Sequence, residues 1–379
     1  MINSKFYEYN LDEVCSRLSS GKNIPASEVF EKGPYPVYGG NGLRGYADKS
    51  NFEGDCAIIG RQGAFCGNVR YFSGKGYMTE HAVVVCGNEK SNTRYLSYLL
   101  STMQLGRLSG QSAQPGLAVG TLAKQKIFLP PLAEQQRIAK ILSSLDDKIE
   151  LNNAINRNLE EQAQSIFKSW FIDFEPFGGE MPKDWINGKL SDLGTVVGGG
   201  TPSKAKNEYY THNGIAWITP KDLSLHPNKF TSKGEIDITQ EGYANSSAKI
   251  MPEGTILFSS RAPIGYITIA KNEVCTNQGF KSVIPKANIG TAYIYFYLKT
   301  HTEEIENKAS GSTFKEASGS LMNSLDALIP SDKILSDFNK ICNPIFNQQK
   351  ALENENQYLI SCRDMLLPKL MSGEINLGC

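Results

Sequence analysis

The sequence predicts an α+β chain in which two tandem-repeated globular domains are separated by two long antiparallel helices that form a coiled coil with pseudo-two-fold symmetry. Three observations carry this expectation. An offset of about 200 residues aligns much of the chain with itself, the signature of a two-copy unit and not of a short-period solenoid. A long amphipathic helical pattern opens twice at that offset, at "LPPLAEQQRIAKIL" and at "LIPSDKILSDFN". The stretches between read as short apolar strands punctuated by Gly, Asn, Pro and Ser turns.

The expected order is a globular domain at 1–129, a helix at 130–176, a second domain at 177–330 and a second helix at 331–379. In the domains, "DCAIIGR", "EHAVVVC", "GTILFSS" and "GYITIA" supply strands, and "TRYLSYLLSTMQL" and "TAYIYFYLKTHTEEIENK" supply short helices. "EGDCAIIGRQGAFCG" lies over "EGTILFSSRAPIG", which sets Arg61 against Arg261. "MTEHAVVV" lies over "CTNQGFKSVI", "RLSGQS" over "KASGST" and "FLP" over "LIP".

Pro130 and Pro131 suit the start of a helix, because proline presets φ and lacks an amide that would go unpaired there. Glu134 complements the positive end of the helix dipole. Alternating 4,3 spacing then gives Ile138, Leu142, Leu145, Ile149, Asn152, Asn156, Leu159, Ala163, Ile166 and Trp170. Adding 200 gives Phe338, Cys342, Ile345, Gln349, Leu352, Asn356, Leu359, Arg363, Leu366 and Leu370. Such matched seams are those of helices that pack on each other. Only "IDFEPFGGEMPKDW" separates the first helix from the second domain, so the second helix runs back, antiparallel, over a rod of roughly 57 Å at ~1.5 Å per residue. Asn152, Asn156, Gln349 and Asn356 fall near its middle, where a buried amide layer sets register or, alternatively, stays hydrated.

Composition is that of an ordinary globular chain, 40% hydrophobic and 21% charged. No run approaches the ~20 apolar residues of a membrane helix, and a cytoplasmic location is expected. Cys15, Cys56, Cys66, Cys86, Cys275, Cys342, Cys362 and Cys379 form no C-x-x-C pair and do not cluster with the four histidines, which argues against a zinc site or disulfide framework. Net charge is zero, but residues 1–128 carry 14 basic against 10 acidic groups and residues 129–180 carry 5 against 9. Basic domains on acidic helices permit a polyanionic partner.

Catalytic motifs are absent. "NPIF" at 343–346 lacks the second proline of an amino-methyltransferase loop and falls inside the second helical seam. "GGGTPSK" lacks phosphate-loop spacing, and His81 has no nucleophile at a recognisable distance. What remains is a double-headed spacer. Two like heads at fixed separation suit two half-sites on duplex DNA, within roughly 17 base pairs at ~3.4 Å each. They would equally hold two protein partners apart.

With these motifs in view, the chain resembles the specificity subunit of type I restriction-modification systems. The resemblance rests on "LPPLAEQQRIAKIL", "SIFKSWFIDFEPF" and "MLLPKLMSGEI" around the helices, and on "GGGTPS", "WITPKDL", "SSRAPIG" and "TNQGF" in the second domain. It covers essentially the whole chain, although the second helix opens with "LIPSDKIL" in place of the Pro-Pro-Leu form. It implies two target recognition domains, each reading one half of a bipartite double-stranded DNA target, and no catalysis by this chain. It also implies two methyltransferase subunits docked on the helices, binding S-adenosylmethionine and methylating adenine. Restriction subunits using ATP and Mg are further partners; this chain itself would bind no cofactor or metal. Rival readings are an autonomous two-headed DNA-binding regulator and a coiled-coil protein scaffold.

Arginine pairs bidentately with guanine, and Asn or Gln with adenine, in the major groove. Arg61, Gln62 and Arg261 follow apolar strands in Gly/Pro/Ser-rich loops and are the leading DNA-binding candidates, with a phosphate contact or an internal salt bridge as the alternative for each arginine. Lys221 and Asp222 in "TPKDL" and Asn277 and Gln278 in "TNQG" rank second. Asn41 and Arg44 in "GGNGLRG" are similar, or simply turn residues.

Overall fold

A computed structural model describes residues 6–110, 116–311, 315–375 and 377. The ends of "RLSGQS" and "KASGST" and the thiol of Cys379 lie outside the described residues. The chain divides into two compact units, Met1–Glu150 with Gln357–Cys379, and Leu151–Asn356. Each of the long helices, Leu132–Phe171 and Asp332–Met371, contributes one part to each unit.

The first unit opens with the strand Tyr7–Asn10, which pairs antiparallel with Lys126–Leu129 just before the long helix. Its six-stranded sheet runs, edge to edge, through Cys15–Ser20, Ala82–Gly87, Phe52–Gly60, Val69–Met78, Tyr35–Gly39 and Gly42–Ala47. The second unit repeats this plan. Ile186–Lys189 pairs antiparallel with Asp326–Ile329, again just before a long helix. A five-stranded sheet follows in the matching order: Gly194–Gly198, Lys281–Pro285, Ile256–Ser260, Ile264–Ala270 and Phe230–Thr231. In both units the strand beside the hairpin's outer member is added parallel, Val37 against Tyr77 and Phe230 against Ile269.

Each sheet lays one face on a short helix, Thr93–Thr102 or Thr291–Thr300, and behind it the long helices complete the core. In the first unit Ala57, Ile59, Val83 and Val85 pack in one cluster with Tyr95, Leu96, Ile138, Leu142, Leu370 and Met371. In the second, Ile256, Phe258 and Val283 join Tyr293, Phe296, Ala163, Phe167, Phe171, Phe338, Cys342 and Phe346. The helices are thus core layers of the heads. Phe338 shows the density: it is fully buried, with the Phe171 ring centroid 5.0 Å away and those of Phe167 and Trp170 6.1 Å away.

None of the seam positions is exposed: Leu145, Ile149, Leu159, Ile166, Ile345, Leu359 and Leu366 are half-buried, and Ile138, Leu142, Phe338, Leu352 and Leu370 are buried. The polar seam residues of the second unit meet directly. Asn152 Nδ2 donates to Asn356 Oδ1 at 2.9 Å and to Glu355 Oε2 at 2.8 Å, and Asn356 Nδ2 donates to Asn153 Oδ1 at 2.8 Å. Gln349 Nε2 donates to the Asn156 carbonyl at 3.1 Å. Partner numbers fall as residue numbers rise, so these segments are antiparallel within the unit. Arg363, the one cation in the seam, donates from Nη1 to Asp146 Oδ1 at 3.0 Å in the first unit. Asp146 also accepts from Arg94 Nη2 at 3.3 Å, and the Arg94 guanidinium lies 4.0 Å over the Tyr71 ring.

A deeper charged junction ties the second head to its helices. Lys229 Nζ, with a side chain only 8% exposed, sits 2.6 Å from Glu160 Oε2 and donates to Gln349 Oε1 at 2.7 Å. Lys299 Nζ lies 2.5 Å from the other Glu160 oxygen, and Tyr295 donates its hydroxyl there at 3.0 Å. Burial pushes the Glu160 carboxyl up, but the two ammonium groups outweigh it and hold it at about 2. Burial lowers the Lys229 ammonium to about 8, since its acidic partner offsets only part of the lost hydration. Glu353 accepts from the Lys229 and Phe230 amides, at 2.8 and 3.1 Å.

Candidate nucleic-acid interface

At one end of the first sheet, the strand Phe52–Gly60 passes into the loop carrying Arg61 and Gln62. The Arg61 amide donates to the His81 carbonyl at 2.9 Å, and the Arg61 carbonyl accepts from Leu117 at 2.8 Å. The hairpin tip Gly40–Asn41 lies against the same spot. A Cβ on Gly40 would stand 3.1 Å from the His81 carbonyl oxygen and 3.5 Å from the Arg61 nitrogen, which shows how closely the tip approaches this loop. The structure therefore brings Asn41, Arg61 and Gln62 to one sheet end, with Asn41, Arg44 and Gln62 exposed. Arg61 is half-buried and its Nη1 reaches back to Ser20 Oγ at 3.5 Å. Arg70, which the sequence did not single out, packs its guanidinium beside Gly42, 3.1 Å from where a Cβ would be.

The second sheet gathers its candidates in the corresponding way. Ser260 donates its amide to the Gly279 carbonyl at 2.7 Å, joining the Arg261 loop to "TNQG". A Cβ on Gly279 would stand 3.1 Å from Pro220 Cγ, and one on Gly199 only 1.9 Å from the Asn277 carbonyl oxygen. "GGGTPS", "TPKDL", "TNQG" and "SSRAPIG" thus converge. Gln278 is exposed and accepts from the Thr201 hydroxyl. Asn277 is half-buried, its Oδ1 turned inward to the Gly279 amide at 2.9 Å. Lys221 is exposed and paired with Glu235 at 2.9 Å. Asp222 stands apart from these. It is buried, with Oδ2 accepting from the Thr219 amide and hydroxyl and Oδ1 from the Glu235 amide at 2.9 Å. The capping box occupies its carboxylate, so it is not presented to a ligand.

One expectation from the self-alignment is corrected. Ala57 pairs with Val85 and Ile256 with Val283, and Gly60 pairs with Ala82 as Ser259 bridges Phe280. The Arg61 carbonyl accepts from Leu117, and the Ser260 carbonyl accepts from Ala317 at 2.9 Å. Arg61 therefore corresponds to Ser260, and Gln62 to Arg261. The helices keep the offset of 200, whereas Phe52–Gly60 matches Ile256–Ser260 at 199 and Ala82–Gly87 matches Lys281–Pro285 at 198, and a slip of one residue exchanges the faces of a strand.

The Arg261 guanidinium is 36% exposed and its Nη1 lies 3.3 Å from Glu316 Oε2. Glu316 takes Lys281 Nζ on its other oxygen at 3.0 Å. The internal salt bridge, left open for the arginines on sequence grounds, is what the structure holds at Arg261. Ala262, next in the chain, adopts φ of 52° in the left-handed region, a tight turn at the end of the strand. His81 Nε2 lies 3.0 Å from Glu80.

Elsewhere the molecule offers little chemistry. The seven described cysteines are free thiols, and burial pushes those of Cys56, Cys275 and Cys342 up to about 12. Among the described residues no His, Cys, Asp and Glu cluster could hold a metal, and no helix is long and apolar enough to cross a membrane. "NPIF" is helical, with Phe346 in the core.

The type I restriction modification DNA specificity domain matches the chain at residues 3–161 and again at 182–358. The MjaIX type I restriction enzyme specificity subunit of Methanocaldococcus jannaschii is 41% identical over 194 residues, 48% of this chain and 45% of that protein. The match therefore spans about half the length of that relative. The HindI specificity subunit of Haemophilus influenzae is 28% identical over 330 residues, 69% of this chain and 71% of its own. The crystal structure of a type I S subunit from M. genitalium shares the fold, with a TM-score of 0.68 at 18% identity over 98% of this chain and 97% of its own. Two family matches, one on each half of a duplicated sheet-and-helix plan, establish that the chain belongs to the type I restriction-modification DNA specificity family.

Proposed function

We propose that this chain is the non-catalytic DNA sequence-recognition subunit of a type I restriction-modification complex. Each of the two target recognition domains reads one half of a bipartite duplex target. The two long helices form one antiparallel coiled coil with pseudo-two-fold symmetry, set the gap between half-sites and dock two methyltransferase subunits. Those subunits bind S-adenosylmethionine and methylate adenine in each half, and ATP- and Mg-using restriction subunits join the same assembly.

The observation that carries this reading is the repeated sheet end. In both units an apolar strand delivers an amide or guanidinium side chain, Gln62 or Arg261, to a glycine-lined convergence of loops. These are the side-chain types that make two-point contacts with adenine and guanine edges. Single-molecule sequencing of a host genome with and without the gene, in the presence of active partner subunits, tests it. Loss of adenine methylation at a two-part motif of fixed gap is expected. Unchanged methylation would refute it and leave the autonomous regulator or the protein scaffold.

A further inference from the structure

The two sheet ends are alike in backbone and unlike in charge. In the second unit, Arg261, Lys281 and Glu316 form a triad in which each Glu316 oxygen serves one cation. The same register that sets Gln62 against Arg261 sets Val83 against Lys281 and Gly116 against Glu316. The triad has no counterpart in the first unit, where the amide of Gln62 stands beside a glycine. The Arg261 and Glu316 side chains are about equally exposed, at 36% and 35%, whereas Lys281 is only 16% exposed, so the carboxylate is held from behind by a sheltered ammonium and shares the accessible side with Arg261.

We propose that Glu316 is a positioning residue for sequence reading by the second domain: it anchors one side of the Arg261 fork, so that the guanidinium meets only a base edge with two acceptors, the O6/N7 edge of guanine. This rests on the DNA-recognition reading above. An arginine without such an anchor swings freely and is equally served by a phosphate, which carries no sequence information. Anchoring removes that freedom and turns an electrostatic contact into a geometric one. It also costs affinity, because the carboxylate lowers the positive charge that the site shows to the DNA backbone. The carboxylate therefore trades general attraction for discrimination, and Gln62, a neutral amide with adenine-matching geometry, requires no such anchor.

The test uses the chain assembled with its methyltransferase subunits, comparing wild type, E316Q, E316D, R261A and the R261A/E316Q double variant. The readouts are the methylated motif from whole-genome sequencing and the salt dependence of binding to a non-target duplex. In E316Q one position of one half-site relaxes by about tenfold to a hundredfold, while the other half-site is unchanged. Non-target binding becomes tighter, and its salt slope steeper by about one. E316D keeps the wild-type preference in part, and E316Q adds nothing to the motif once Arg261 is alanine. A bipartite wild-type motif that E316Q leaves intact, or degrades equally in both halves, overturns the role of Glu316 but not the function. Absence of any bipartite motif in wild type overturns both.

Discussion

Replacing Glu160 with Gln isolates the charged junction of the second unit. The side chain keeps its size and one acceptor but loses the charge facing Lys229 at 2.6 Å and Lys299 at 2.5 Å. A carboxyl held near 2 against an ordinary 4.5 represents about 3 kcal/mol of folding stability at neutral pH, at ~1.4 kcal/mol per unit. Stranding a buried ammonium costs a comparable amount, in line with ~3–5 kcal/mol for removing one partner of a buried pair. The signs differ for the two groups. Glu160 is lowered on folding, so its contribution is complete above about pH 4.5 and disappears as pH falls towards 2. Lys229 is also lowered, so the unfolded chain binds the extra proton between about 8 and 10.5, and its contribution to stability rises with pH there. In E160Q the acid limb is missing, and Lys229 loses its proton at lower pH, so the deficit shrinks in mild alkali. All three tryptophans, Trp170, Trp185 and Trp217, lie in residues 151–356, so urea unfolding followed by tryptophan fluorescence reports this unit. A loss below about 1 kcal/mol, with the acid limb retained, refutes the reasoning. Pairing E160L with K229M should recover most of the loss, because an apolar pair has no desolvation to offset.

Phe338→Ala removes a fully buried ring from the aromatic cluster and should cost about 3–5 kcal/mol in the same unfolding measurement. Replacing Asn152 and Asn356 together with Leu should raise the thermal midpoint while admitting alternative pairings, visible as heterogeneous amide exchange in the helices; a single conformer would show that the amides do not set register. Arg261→Ala should relax one half of the methylated motif by roughly tenfold or more and spare the other, whereas a uniform loss would assign it a backbone or folding role. Deleting one heptad from both helices should shorten the gap by about three base pairs, from about 10 Å of lost rise; an unchanged gap would show that something other than the helices measures it.

Much of this molecule was legible before any coordinates. The heptad seams are local periodicities, and a helix pattern at 138–170 or 338–370 needs no knowledge of its partner to declare which face is buried. The Pro-Pro signal at 130–131 was equally local, and the helix starts at Leu132 with the Pro131 carbonyl accepting from Glu134 and Gln135; it runs to Phe171 within the expected 130–176. The duplication was visible because the two long helices keep one offset throughout and the sheet strands Phe52–Gly60 and Ala82–Gly87 stay within one or two residues of it. The candidate loops could be picked out by composition, but their convergence at each sheet end could not, and Asp222 shows a further limit: the box that caps a short helix uses the same residue types as an exposed polar loop.

What only the tertiary structure decided was long-range and depended on which backbone groups bond across strands. One residue is a turn of about 100° in a helix and a full exchange of faces in a strand; the long heptad pattern pins the offset of the helices, whereas strands of five to nine residues carry too little pattern to pin theirs. That is why Arg61 appeared to match Arg261 until the hydrogen bonds of Leu117 and Ala317 placed Gln62 there instead. Glu316 left no mark in the sequence, since its meaning lies in two cations brought to it from a strand 35 positions away and a loop 55 positions away. The sequence determined by itself the periodic elements and the repeat; the pairing of strands decided which side chains stand at the end of each sheet and which charges they meet.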